Sequence, residues 1–149
     1  MFKPAPVRLA PVLVAAGAVW TTLVALAPLA RWTALYFAAH LVCHQIPARS
    51  FQLAGGPMAV CARCFGLYIG AVTAGAGALA IGRSPTRRAS AVVARWVIVA
   101  AALPTAFTLA AEWLVRWPVG NNGRFVAALP LGAAAAWLVI RALEVDWRT

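Results

Sequence analysis

The stretch LAPVLVAAGAVWTTLVALAPLA, residues 9–30, decides the fold class. It is 22 residues long and carries no charge. About 20 such residues, rising 1.5 Å each as a helix, cross a hydrocarbon core of roughly 30 Å. Lys3 and Arg8 precede it, and Arg31-Trp32 follow it. A cleaved signal peptide is the rival reading, because a basic start and Ala25-Leu26-Ala27 resemble a cleavage site. A signal's apolar core is only about 7–15 residues long, and Pro28 would directly follow the cut. An uncleaved span is the better reading.

The rest of the chain repeats this pattern. Further apolar runs cover 58–81, 92–114 and 125–142, giving an all-α bundle of four transmembrane helices in one domain, residues 1–149. Residues 32–57 separate the first two spans. They read as a short interfacial helix carrying His40, Cys43 and His44, ending before Pro47, followed by a loop containing Arg49, Ser50 and Gly55-Gly56. Trp117 to Arg124 reads as a polar turn. Within the second span Gly66, Gly70, Ala74 and Ala78 recur every fourth residue. That ridge lets another helix backbone approach, either within the chain or in a helix–helix oligomer.

Composition agrees with the lipid bilayer as the principal partner. Of 149 residues 64% are hydrophobic and 11% charged, with mean hydropathy +0.84. A soluble domain carries about 25% charged residues. The net charge of +10 does not indicate nucleic-acid binding, because the basic residues are scattered singly and in pairs between apolar runs. They report topology instead. Lys3, Arg8, Arg83, Arg87, Arg88, Arg95, Arg141 and Arg148 fall at one end of the spans, and Arg31, Arg49, Arg63, Arg116 and Arg124 at the other. The positive-inside rule then puts both termini in the cytoplasm, with the chain in the cytoplasmic membrane. Trp32, Trp96, Trp113, Trp117 and Trp147 sit near span ends, as an aromatic belt does.

The chemistry-bearing residues cluster. All three Cys and both His lie between His40 and Cys64. On a helix, His40, Cys43 and His44 share a face by their i, i+3, i+4 spacing, and Cys61 and Cys64 share one at i, i+3, with Tyr68 a turn further on. Thiolates and imidazoles suit transition metals: zinc best, with iron or copper as alternatives. The candidate ligands are Cys43, His44, Cys61 and Cys64, with His40 as a substitute. Two other readings compete. Cys61 and Cys64 can form a thiol–disulfide pair with Cys43 as exchange partner, with Arg63 and the helix N-terminus lowering a thiol pKa. Inert buried thiols in a structural or partner-binding protein are the third.

Glu112 is the one acid outside the C-terminal tail, at the end of the third span. An ionisable group there is either a site residue or a carboxylate paired with Arg116 or Arg124. Arg49, Asn121 and Arg124 can hold an anion or fix the loops. The sequence contains no Gly-rich phosphate loop, no Ser/His/Asp set and no paired carboxylates placed for hydrolysis.

Two segments carry a family resemblance. Cys43-His44-Gln45-Ile46-Pro47-Ala48-Arg49-Ser50 and Cys61-Ala62-Arg63-Cys64-Phe65-Gly66-Leu67-Tyr68-Ile69-Gly70 resemble the signature of domain of unknown function 2085, a family of small prokaryotic membrane proteins. A later Asn121-x-x-Arg124 element is similar too. In the third span, where that pattern leads one to expect an acid and a glutamine, this chain has Thr108 and Glu112. The resemblance implies that Cys43, His44, Gln45, Arg49, Cys61, Arg63, Cys64 and Tyr68 form one motif. It implies no activity or substrate.

Overall fold

The computed structural model describes residues 9–81 and 90–145. The chain runs α1 (Leu9–Ala30), α2 (Thr33–His40), a single 3₁₀ turn (Pro47–Arg49), a two-stranded antiparallel hairpin β1 (Gln52–Leu53) and β2 (Gly56–Pro57), α3 (Ala62–Ile81), α4 (Ala91–Trp113) and α5 (Asn121–Val145). Four of these helices are long and apolar enough to cross a membrane, and the protein is an all-α integral membrane bundle. The basic residues Lys3, Arg8, Arg83, Arg87, Arg88 and Arg148, and with them Trp147, lie outside the described residues.

The four long helices stand side by side in the order α1, α3, α5, α4, with α3 and α5 forming the most extensive pair. Glycine sets that closeness. A Cβ added at Gly66 or Gly70 of α3 would fall on the backbone carbonyls of Phe125 and Leu129. One added at Gly132 of α5 would fall on that of Leu67. The four-residue ridge is therefore used within the chain, where van der Waals packing and not the hydrophobic effect holds helices together in lipid. On the α4 side, Thr105 donates to the carbonyl of Ala127 at 2.8 Å. No described residue of α4 is buried, and Trp96, Leu103, Phe107 and Trp113 face outward as lipid-facing side chains do. The buried apolar core lies at one end of the row, around Val24, Ala27, Ala39, Ala59 and Val60, all fully buried.

Several boundaries differ from the sequence reading, each for a local reason. The second span begins at Ala62 and not at residue 58, because Met58 to Val60 are bent, non-helical chain buried against α1 and α2. The interfacial helix ends at His40; Leu41 and Val42 form a turn, so the expected shared helical face of His40, Cys43 and His44 does not exist. The supposed loop at 48–57 contains a miniature hairpin whose tip, Ala54-Gly55, has φ of 51° and 80°. Both central residues in the left-handed region make the type I′ turn that matches strand twist. The polar turn before the fourth span is shorter than read, because Asn121 to Arg124 already form the first turn of α5. Arg31, at φ 49°, stops α1 in the left-handed conformation that glycine more often supplies, and Arg116, at φ 54°, takes it in the turn that follows α4.

A three-sulfur candidate metal centre and a buried ion triad

Cys61 stands directly before α3 and acts as its N-cap: its carbonyl accepts from the Phe65 amide at 3.0 Å, and its sulfur accepts from the amides of Arg63 and Cys64. A sulfur here replaces the oxygen of the usual Ser or Asp cap. The C-x-x-C spacing thereby puts Cys64 one turn inside the helix, facing the cap. The hydrogen bond from the Cys64 thiol is the largest cause holding the Cys61 thiol down to about 5, against the opposing effect of burial.

Cys43 arrives from the other side. Its amide bonds to Ala39 at 2.9 Å, winding the end of α2 inward. The Cys61 amide donates to Cys43 Sγ at 3.2 Å, joining the two segments directly. The ligand atoms of Cys43, Cys61 and Cys64 lie within 4.8 Å of one another, and all three cysteines are free. The surroundings are Trp20, Val24 and Ala27 of α1, Leu35, Tyr36 and Ala39 of α2, and Phe65 and Tyr68 of α3. Tyr68 meets Trp20 edge-on, with ring centroids 6.5 Å apart.

His40 and His44 are exposed, and neither joins the sulfur cluster. The broken helix explains this: once α2 ends, turning Cys43 inward turns its neighbour His44 outward. Gln45 has a structural task. At φ 50° its Nε2 donates to the carbonyls of Tyr36 at 2.6 Å and Ala59 at 2.9 Å, tying α2 to the chain that leads into Cys61. Tyr36 adds a bond from its hydroxyl to Pro57 at 2.5 Å, and burial pushes its phenol pKa up.

Opposite this centre, on the α5 side of α3, lies a second polar group. Glu112 receives Arg124 Nε at 2.6 Å and Arg63 Nη2 at 3.1 Å. The side chains are 6% exposed for Glu112, 14% for Arg63 and 12% for Arg124. Arg63 also reaches Thr108 Oγ1 at 3.4 Å, while its Nε is buried without a partner. Arg124 Nη1 donates to Asn121 Oδ1 at 2.7 Å, and Asn121 Nδ2 donates to the Ser50 carbonyl at 3.0 Å. Ser50 itself is 1% exposed and donates to Ile46 at 3.1 Å. Phe51 meets Phe65 and Phe125 edge-on, and Phe65 and Phe125 are tilted against each other, with centroids 5.6 to 6.3 Å apart.

Thus Arg124 pairs with Glu112 as one sequence alternative held, Arg116 does not, and Arg63 joins although the sequence reading assigned it to the thiols. Nothing in the spacing of residues 63, 112 and 124 announces that they meet; only the packing of three helices brings them together. Asn121 and Arg124 are committed to fixing the loop, and Arg49 lies half-buried on the 3₁₀ turn.

Comparison with known proteins places these residues in context. No solved structure matches the chain. A curated relative, the "Uncharacterized protein MJ1492" of Methanocaldococcus jannaschii, is 61% identical over 36 residues, 24% of this chain. The chain spans about a quarter of that relative's length, 23%. The family model described as "Predicted membrane protein (DUF2085)" matches residues 43–138, more than half of the chain and a range that holds both the sulfur cluster and the ion triad, so the chain belongs to that family.

Proposed function

We propose that this membrane protein holds a transition-metal ion on the sulfurs of Cys43, Cys61 and Cys64. The observation that carries the reading is the convergence of three free thiols within 4.8 Å from two separate segments. Zinc–sulfur bonds of about 2.3 Å in tetrahedral array put sulfurs roughly 3.8 Å apart, within small side-chain rotations of this arrangement. The Cys61 amide donates to Cys43 Sγ and so holds that sulfur beside the other two.

Three protein ligands leave one position open. Zinc sites of that kind keep the fourth place for water or substrate, whereas structural sites close it. Zinc is the best-fitting ion, with iron or copper as alternatives. With His40 and His44 exposed, the ligand set reduces to the three sulfurs. Tyr68 and Gln45 support it, and Arg63, Glu112, Asn121, Arg124 and Ser50 form the neighbouring frame. The positive-inside reading puts this centre at the non-cytoplasmic face of a prokaryotic cytoplasmic membrane, with both termini cytoplasmic.

Elemental analysis of the detergent-purified protein tests this. Wild type is expected to carry about one metal per chain, and Cys61→Ser/Cys64→Ser to lose it. Metal-free wild type with three titratable thiols, isolated without chelator from metal-replete cells, would sink the idea. The acidity of Cys61 favours a second reading, a membrane thiol–disulfide oxidoreductase built on Cys61 and Cys64. Trapping a mixed disulfide on Cys61 after Cys64→Ser would support that reading; thiols that stay reduced and unreactive would remove it.

A further inference from the structure

The end of α1, the start of α2 and the tip of the hairpin enclose a cavity of about 350 Å³. Pro28, Arg31, Thr33 and Tyr36 line it, together with the hairpin tip at residues 54–56; no cysteine and no member of the ion triad does. Gly56 closes on Pro28, whose Cβ lies 3.5 Å from where a Cβ on the glycine would sit. Beside Gly55 there is open space, with nothing within 4 Å of an added Cβ. A cavity of this size is at the small end of ligand sites and suits a compact polar group.

Its polar lining has donors in excess. Among the described residues no ion pair or side-chain hydrogen bond engages the Arg31 guanidinium or the Thr33 hydroxyl. Ala54 and Gly55 are the two central residues of the hairpin turn, so their amides have no partner in the ladder. The Tyr36 hydroxyl already donates to Pro57. No carboxylate lines the cavity. Of the three acids in the chain, Glu112 is committed to Arg63 and Arg124, Glu144 is at the other end of α5, and Asp146 lies outside the described residues. A free guanidinium and a hydroxyl around a cavity without an acid suit an oxyanion.

The place of the cavity says which oxyanion. Helix α1 is a candidate span and Arg31 directly follows its last residue, so the cavity lies where hydrocarbon gives way to headgroups. Trp32, Phe37, Leu41 and Val42, on the same segment, are exposed apolar side chains. A cationic cavity flanked by such side chains matches the two halves of a phospholipid, phosphate and acyl chain. We propose that this cavity binds the phosphate of an anionic phospholipid headgroup, with Arg31 as the ion-pairing residue and Thr33 as a hydrogen-bond donor. A guanidinium takes two phosphate oxygens at once through its planar fork, which an ammonium cannot do. The bound headgroup ties the hairpin tip to the end of α1, since both line the cavity. The site needs no metal on the sulfurs.

The test uses the full chain in a nonionic detergent, titrated with short-chain phosphatidylglycerol and read as bound lipid per chain by native mass spectrometry. Wild type is expected to show one saturable site. Arg31→Gln is expected to weaken it by about tenfold and Thr33→Val by about threefold, the ranges for a charge-assisted and a neutral hydrogen bond. Arg116→Gln removes the same charge from an exposed position outside the cavity and is expected to stay within about twofold, because a diffuse surface charge is screened. Arg31→Gly separates binding from folding. It suits the left-handed backbone at this residue, φ 49°, and so keeps the fold while removing the guanidinium; it is expected to lose the lipid as Arg31→Gln does, and it decides the matter should Arg31→Gln fail to accumulate. Binding retained in Arg31→Gly overturns the proposal, as does equal loss in Arg31→Gln and Arg116→Gln or the absence of a saturable site in wild type. Inorganic phosphate is the second arm. Displacement of the lipid only at far higher phosphate concentration supports a headgroup site; displacement at equal concentration overturns the lipid as its source.

Discussion

At the scale of single residues, the protein depends on side chains that do something other than their type suggests. Cys61 is a helix cap as well as a thiol, because its sulfur takes the amides an oxygen usually takes. Glu112 is the acid on which Arg63 and Arg124 converge, and removing one partner of such a buried group costs about 3–5 kcal/mol. Glycine matters most where two backbones touch. Gly132→Ala would drive a Cβ into the Leu67 carbonyl, which belongs to a helix backbone and cannot rotate away. A loss of about 1–3 kcal/mol is expected, seen as unfolding at lower SDS fraction. Gly77→Ala, with nothing within 4 Å of the added Cβ, should change stability by less than about 1 kcal/mol. Equal behaviour of the two variants would contradict the close α3–α5 contact.

At the scale of elements, the segment from α2 to α3 is the least regular part of the chain and the most specified. A buried loop must satisfy its backbone groups with something other than helix or sheet. Here Gln45 and Tyr36 do so through bonds to Tyr36, Ala59 and Pro57, and Asn121 does so at Ser50. Gln45→Ala is expected to cost about 1–3 kcal/mol, since it leaves two carbonyls short of a donor. Amide exchange should quicken around residues 58–61 while α4 and α5 keep their protection. Uniform protection across the variant would mean that the sulfurs are held in register by something else. The motif residues of this segment were legible as a set, because soft ligands and polar groups stand out against an apolar chain. Their division of labour was not. Whether a cysteine and its neighbouring histidine face the same way depends on where a helix stops, and the stop at His40 comes from tertiary burial of Ala39 and Cys43 with no local signal.

At the scale of the whole molecule, both polar groups lie at the same end of the bundle along the helix axes, where α1 and α4 finish and α3 and α5 begin. Alternating spans put them there together. A thiol reagent that cannot cross the membrane is expected to label Cys61 or Cys64 from outside intact spheroplasts in metal-depleted cells, and a reporter at the C-terminus to read cytoplasmic. Labelling only after permeabilisation would invert the orientation drawn from the basic residues. Helix α4 packs mainly on α5 and buries no described residue, so its tie to the site runs through Glu112, Thr105 and Thr108 and not through a broad apolar interface.

The sequence by itself determined the medium and the four helices, and it singled out the Cys, His and Glu residues as candidates. Each of these is a one-dimensional property: hydrocarbon thickness sets the length of an uncharged run, and the rarity of Cys, His and Glu in such runs makes them conspicuous. Tertiary structure alone decided the convergence of the three sulfurs and the ion triad. Cys43 and Cys61 are 18 residues apart and Arg63 and Glu112 are 49 apart. Such pairs meet only because Gly66, Gly70 and Gly132 bring α3 and α5 into backbone contact and because the turn after α2 buries Cys43 beside Ala39. Local spacing carries no record of either event. Short-range physics therefore fixed which residues have chemistry, and long-range packing fixed which of them can act together.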